Sequence, residues 1–252
     1  MSMLKDRVAL VTGSSRGIGA AIAITFAQAG ARVALHGRDE TALATVQARI
    51  HDLGGEVICV TGDVTIADDL ARMREQILER YGHVDVLVAN AGSSESRPMP
   101  IEDIAEENWR ADIDRNLTGT FLTVKCFLPD MKQRRTGNII TLSSAAGRKP
   151  SERTIVAYAA AKAGVQIFTQ DLAAQVGPFG IRANCLAPET VLTETNKQWI
   201  PDDVQRSLAD SHPLRRLGTP EDVARAALFL ASDESSWITG VIVDIAGGAV
   251  LV

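Results

Sequence analysis

Residues 8–19 read VALVTGSSRGIG, and the order of events in that stretch decides the fold. Four apolar residues, Val8 to Val11, make a short strand-like run, and Gly13, Gly17 and Gly19 crowd the turn that follows. From Ile18 the apolar residues recur with helical period as far as residue 29. A strand that passes through a glycine-rich turn into a helix presents the free N–H groups of the helix N-terminus beside backbone with no Cβ atoms in the way. That arrangement cradles a phosphate. The spacing, Gly-x-x-x-Gly-x-Gly, differs from the Gly-x-Gly-x-x-Gly of the commoner dinucleotide fingerprint. Glycines also serve turns for shape alone, but their place between first strand and first helix points to a dinucleotide.

Outward from this unit the alternation repeats. Val- and Ile-rich runs at 32–35, 57–60, 84–89, 138–142, 182–186 and 241–243 alternate with helical patterns at 41–53, 67–81, 108–135, 157–176 and 221–231. With residues 8–11 that makes seven strands and predicts one α/β domain over residues 1–252. The expected architecture is a doubly wound Rossmann fold, a seven-stranded parallel sheet with helices on both faces. Ligands of such sheets bind beyond the carboxyl ends of the strands. Residues 189–219 break the alternation: the segment is polar, has Trp199 and a weak helical period near 202–210, and is placed to act as a substrate lid.

Composition narrows the function by exclusion. A chain of 252 residues, 46% hydrophobic, can bury a full core. Its net charge of -5 gives no broad basic field for nucleic acid or an anionic membrane. Charged residues interrupt every apolar run before the ~20 residues that a bilayer crossing takes. The start shows no basic region followed by an apolar h-region and a cleavage site, so a cytoplasmic protein is expected. Cys59, Cys126 and Cys185 are far apart in apolar sequence and fit small buried hydrophobes; no metal site is expected.

Cofactor choice is set at the end of the second strand, where an Asp or Glu would hold the adenosine ribose of NAD. Here the segment is ARVALHGRDE, with Gly37 and Arg38 where the carboxylate would stand. Arg16, inside the glycine loop, offers a second guanidinium from the other side. Two guanidiniums converging on a 2'-phosphate favour NADP(H). The alternative is a pair of solvated surface arginines.

The chemistry is written in Tyr158-Ala-Ala-Ala-Lys162, a phenol and an ammonium on one helix face. An ammonium ~4 Å from the phenol at an effective dielectric of ~20 contributes about 4 kcal/mol, nearly three pKa units, and would let Tyr158 exchange protons near pH 7. Upstream, the fifth strand ends in TLSSAAG, so Ser143 and Ser144 stand at the carboxyl edge, where a hydroxyl can hold a substrate oxygen toward Tyr158. Serines at a strand end are also ordinary turn formers.

In this order the motifs resemble the short-chain dehydrogenase/reductase family over residues 8–248, nearly the whole chain. TGSSRGIG resembles that family's cofactor loop, Asp63-Val64 its adenine contact, Asn90-Ala91-Gly92 its strand-four motif and Asn116 its fourth-helix asparagine. Ser144, Tyr158 and Lys162 resemble its catalytic set. The resemblance implies further cofactor contacts at Ser15, Ile18, Pro188, Val191 and Thr193, with Thr193 on the nicotinamide carboxamide, and a water-mediated proton path from Asn116 to Lys162. It also implies a homotetramer, and the apolar ending GGAVLV would suit a subunit contact. Two features depart from the family. Pro188-Glu189 stands where Pro-Gly is usual, and the interval from Ser144 to Tyr158 is one residue longer than usual, which bears on the choice between Ser143 and Ser144. Ser144, beside AAG, is the expected member of the set.

The resemblance implies hydride transfer between NADP(H) and a small carbonyl or secondary alcohol. It is strongest to 3-oxoacyl-[acyl-carrier-protein] reductases, then to sugar, steroid and alcohol dehydrogenases. Lys132, Arg134 and Arg135 offer a basic patch for an acidic carrier protein, although Phe179 stands where those reductases tend to carry a second basic residue. The rival from another class is a non-catalytic dinucleotide sensor, against which the intact Ser144, Tyr158 and Lys162 speak.

Overall fold

The computed structural model of the chain describes residues 3–94, 96–151 and 154–250. Seven strands, β1 (Val8–Val11), β2 (Arg32–Gly37), β3 (Val57–Thr61), β4 (Val86–Ala89), β5 (Gly137–Leu142), β6 (Ile181–Pro188) and β7 (Ile242–Ile245), form one parallel sheet in the order β3-β2-β1-β4-β5-β6-β7. The expected doubly wound sheet is present, and the order reverses between β1 and β4. β1 and β4 are buried at every position, because helices cover both faces of a parallel sheet. One apolar cluster joins the first helix, α1 (Gly17–Gln28), to α2 (Glu40–Asp52) and to the last helix, α9 (Pro220–Ala231), through Phe26, Ile22, Leu43 and Val223. On the other face, Met73 and Ile77 of α3 (Ala67–Tyr81) and Phe127 of α5 (Gly119–Arg134) pack with Leu87 and Ile139. The long α6 (Val156–Val176) closes that layer.

Two expectations are corrected. The helix expected at 108–135 is divided into α4 (Glu106–Ile113) and α5 by a π-helical turn at Asp114–Thr118, which holds Asn116. Such widened turns cluster at functional sites because they re-aim side chains out of the i→i−4 pattern. The segment at 189–219 carries α7 (Glu194–Trp199) and, where a weak helical period was expected near 202–210, α8 (Asp202–Ser211). Lys132, Arg134 and Arg135 sit where α5 feeds the start of β5, so they lie at the amino edge of the sheet, a strand's length from the carboxyl edge that holds Ser144. Their partners are structural: Arg134 donates to Asp85 at 2.9 Å and to the Val84 carbonyl at 2.8 Å, Arg135 donates to the Pro178 carbonyl at 2.7 Å, and Lys132 lies 4.8 Å over the Phe179 ring. Of the apolar ending, Val250 packs within the chain against Ala145 and Ala246, while Leu251 and Val252 lie outside the described residues. Among the described residues no helix is long and apolar enough to cross a membrane. None of their His, Cys, Asp and Glu side chains group into a metal-binding set.

Candidate active site and cofactor cleft

A cleft of about 960 Å³ opens at the carboxyl edge of β1, β4, β5 and β6. Ile18, Asn90, Gly92, Ser144, Tyr158, Lys162, Pro188, Val191 and Thr193, nine of the residues singled out from sequence, line it together. The glycine turn borders it through Ile18. Gly13 and Gly17 have φ of 65° and 56°, the left-handed region that a side chain resists. At Gly19 a Cβ would stand 2.3 Å from the Gly13 carbonyl oxygen and 2.5 Å from the Asn90 amide nitrogen, so α1 begins tight against the loop after β4. Asn90 fixes this approach by donating to the Thr12 and Gly13 carbonyls at 2.8 and 3.1 Å. Thr12 and His36, neither singled out from sequence, complete the frame. The Thr12 hydroxyl accepts from the Asn90 and Ala91 N–H groups at 3.0 and 3.1 Å. The ring of His36 accepts from the Gly13 N–H at 3.4 Å, which leaves Nε2–H to donate to the Gly62 carbonyl at 3.1 Å. That pattern requires a neutral imidazole, and burial draws the His36 pKa down to about 4.

Around the end of β2, Ser15 lies against Gly37, where a Cβ would meet it at 3.3 Å. Arg16 and Arg38 flank this point, both exposed: Arg16 pairs with Asp39 and Arg38 with Asp63 at 3.4 Å. Each guanidinium is thus neutralised by a different neighbouring carboxylate. Asp63 is held in turn by the Thr65 N–H at 2.9 Å and hydroxyl at 2.7 Å, and Val64 is buried against Gly119.

Ser143 and Ser144 separate by direction. Ser143 points inward, donating to the Lys162 carbonyl at 2.8 Å and accepting from Gln166 at 2.8 Å. Ser144 caps the following turn at the Ala146 N–H, 3.1 Å, and hydrogen-bonds Tyr158, whose hydroxyl is sunk in the cleft. Lys162 is buried and donates to the Leu142 carbonyl at 2.8 Å; burial brings its pKa down to about 8. Its Nζ lies 5.5 Å over the centre of the Tyr158 ring. The expected lowering of the Tyr158 pKa by Lys162 is therefore corrected. Burial pushes Tyr158 up, the Ser144 hydrogen bond opposes this, and the Asp112 carboxylate adds to it.

Asn116 donates to the Ser93 and Asp112 carbonyls at 2.8 and 2.9 Å, and its buried Oδ1 has no protein partner. At Gly92 a Cβ would come 2.7 Å from that oxygen and 3.3 Å from the Lys162 Nζ. Gly92 is thus packed directly against both groups, with no room for a side chain. Thr193 caps α7 by accepting from Asn196 at 3.1 Å and touches the glycine turn, its Cγ2 3.1 Å from where a Gly17 Cβ would be. The residues fit a dinucleotide: a Cβ-free turn beside the cleft that a pyrophosphate could approach, and an ammonium and a phenol that line the cleft, where they could meet the nicotinamide end.

Sequence reading missed two further features. Asp112 is buried with Oδ2 lacking a protein partner. Glu189, noticed only as a departure from Pro-Gly, meets His212 at 2.5 Å in the wall of the cleft. The residues lie 23 positions apart, and neither carries a motif.

Comparison with known proteins agrees with this geometry. The family model described as Enoyl-(Acyl carrier protein) reductase matches residues 13–250. The chain is 38% identical over 248 residues to a 3-oxoacyl-[acyl-carrier-protein] reductase of Chlamydia muridarum, covering 98% of each chain. It is 33% identical over 247 residues to the 7alpha-hydroxysteroid dehydrogenase of Escherichia coli, covering 98% of this chain and 95% of that one. Among solved structures, a 3-oxoacyl-[acyl-carrier protein] reductase from Brucella melitensis with bound NAD superposes with a TM-score of 0.92 at 36% identity, over 100% of this chain and 94% of that one. The chain belongs to the short-chain dehydrogenase/reductase family of oxidoreductases.

Proposed function

We propose that the protein is an NADP(H)-dependent enzyme that interconverts a ketone and a secondary alcohol, with Tyr158 as the proton donor and acceptor. The observation that carries this is the convergence of Ser144, Tyr158 and Lys162 on one cleft beside the Cβ-free glycine turn. When bound, the nicotinamide supplies or accepts the hydride. Ser144 and the Tyr158 hydroxyl hold the substrate oxygen, and Tyr158 passes its proton to that oxygen as the carbonyl is reduced. Lys162 holds the nicotinamide ribose and, through Asn116 and water, returns a proton to Tyr158. Gly13, Ser15, Gly17, Ile18 and Gly19 carry the pyrophosphate, Asp63 and Val64 the adenine side, and Asn90, Ala91, Gly92, Pro188, Val191 and Thr193 the nicotinamide end.

The preference for NADP(H) rests on Gly37 and Arg38 at the end of β2 and on Arg16 opposite, with no carboxylate at the β2 terminus itself. Arg38→Ala is expected to weaken NADPH binding about 10- to 150-fold, the loss of one charge-assisted contact of ~1.5 to 3 kcal/mol, and to leave NADH binding nearly unchanged. Fluorescence titration with both cofactors measures this, and equal affinities for NADPH in parent and variant would remove the assignment.

For the substrate, Ile200, between α7 and α8, and Val204 and Leu208 of α8 line the cleft together with Ala145 and Ala146. This apolar lining favours a ketone with an apolar body. A 3-oxoacyl thioester is one such substrate and has the likeness to the Chlamydia reductase in its favour. A cyclic or steroid alcohol is the second reading, favoured by the position of Lys132, Arg134 and Arg135 at the edge remote from the cleft. A screen of NADPH oxidation with a 3-oxoacyl thioester and with cyclic, sugar and simple ketones separates them. Exposed Phe121 and Ile167, on α5 and α6, suit the proposed homo-oligomer.

A further inference from the structure

We infer that Glu189 and His212 form a latch: a positioning pair that ties the cap formed by α7 and α8 to the carboxyl end of β6 and so sets the width of the substrate cleft. This rests on the reading of the cleft as the substrate site. Glu189 follows the last residue of β6, and its N–H donates to the Ile245 carbonyl at 3.1 Å, so its backbone belongs to the sheet. His212 is the residue that ends α8. The His212 Nε2 lies 2.5 Å from Glu189 Oε2 and its Nδ1 2.6 Å from the Leu208 carbonyl. The imidazole is thus clamped between the cap helix and the sheet.

Both ring nitrogens face oxygens, and a separation of 2.5 Å between a ring nitrogen and a carboxylate oxygen is that of a charge-assisted hydrogen bond, the strong kind. The carboxylate is pre-set for it: Thr190 donates its N–H to Oε2 at 2.5 Å and its hydroxyl to Oε1 at 3.1 Å. The other charged groups nearby have partners of their own. Arg148 pairs with Asp244 at 3.0 Å and Arg216 with Asp222 at 2.6 Å. The pair also stands between two spaces, since Glu189, Thr190 and His212 line both the main cleft and a rear cavity of about 290 Å³. Opening the latch would join the two and free the Val204 and Leu208 side of the cap.

Glu189→Ala and His212→Ala test this in a double-mutant cycle with two readouts. The first, trypsin cleavage after the exposed Lys197 and Arg206 of the cap, needs no activity. Each single variant is expected to be cut at least about 10-fold faster than the parent, and the double variant no faster than either, because the two residues act as one contact. The second is steady-state reduction of the best ketone from the screen: KM rises about 10-fold while kcat falls by a smaller factor. Glu189→Gln keeps the size and an acceptor but not the charge; if the alanine variants fold poorly it carries the test, with about a threefold rise in KM and in cleavage. Cleavage and KM equal to those of the parent, or additive effects in the double variant, would overturn the latch and leave ketone reduction standing. A parent that reduces no ketone would overturn the functional reading, and the cleavage cycle would still decide the latch.

Discussion

Tyr158→Phe is expected to bind NADPH as the parent does and to reduce ketone about 10²- to 10⁴-fold more slowly, the span that a positioned general acid contributes. The substitution removes one oxygen and leaves the ring in place beneath Lys162, 5.5 Å from its Nζ, so the frame of the site is kept. Stopped-flow oxidation of NADPH together with a binding titration separates the two effects. The same residue dictates how rate depends on pH. Burial holds Tyr158 above the usual phenol range, so the neutral phenol needed for reduction persists through neutral pH. Reduction should stay level there, begin to fall as pH passes the Lys162 pKa of about 8 and that residue ceases to return a proton, and fall further as pH climbs through the raised Tyr158 pKa. Oxidation needs the phenolate and should rise toward alkaline pH over the same span. A reduction rate that falls across neutral pH would assign the proton to another group.

Gly19→Ala should be the most damaging single-methyl change in the chain. Alanine inside a helix ordinarily stabilises by about 0.5 to 1 kcal/mol relative to glycine. Here the added Cβ would stand 2.3 Å from the Gly13 carbonyl oxygen and 2.5 Å from the Asn90 amide, and the first of these is backbone that must move. Overpacking of this kind costs about 1 to 3 kcal/mol and spreads the pyrophosphate turn away from the loop after β4. The expected outcome is a lower Tm together with NADPH binding weakened about 10- to 150-fold. Gly177→Ala is the control, since a Cβ there meets nothing within 4 Å and the backbone is helical, at φ -50° and ψ -44°. It should leave binding unchanged. Equal NADPH affinity in Gly19→Ala and the parent would mean that the turn does not hold the cofactor.

The parts of the fold legible in the sequence are those with a local period. All seven strands sit where Val and Ile runs predicted them, because a parallel strand buried on both faces must be apolar throughout. Ends were less legible. β4 starts at Val86 rather than 84, where Asp85 uses its carboxylate to accept from Val8 N–H and from Arg134. The π-helical turn left no mark, since DIDRNLTG keeps a helical pattern while the hydrogen bonds shift register. Four-residue spacing put Tyr158 and Lys162 on one face, but whether the ammonium meets the hydroxyl or the ring depends on the Leu142 carbonyl, 20 residues upstream of Lys162. Tertiary contacts likewise bring His36 to Gly13 and His212 to Glu189. The basic residues at 132–135 show the opposite limit: their composition suggested a docking patch, and only the direction of α5 against β5 shows that they face the far edge of the sheet.

Isotope tracing tests hydride transfer in the cleft beside Tyr158 most directly. NADPH carrying deuterium at the transferable C4 position is incubated with the enzyme and a ketone, and the product alcohol is examined by NMR and mass spectrometry. The prediction is one deuterium at the carbinol carbon with the parent enzyme and none within the same time with Tyr158→Phe. Unlabelled alcohol from the parent, or label transferred at the parent's rate by Tyr158→Phe, would contradict it.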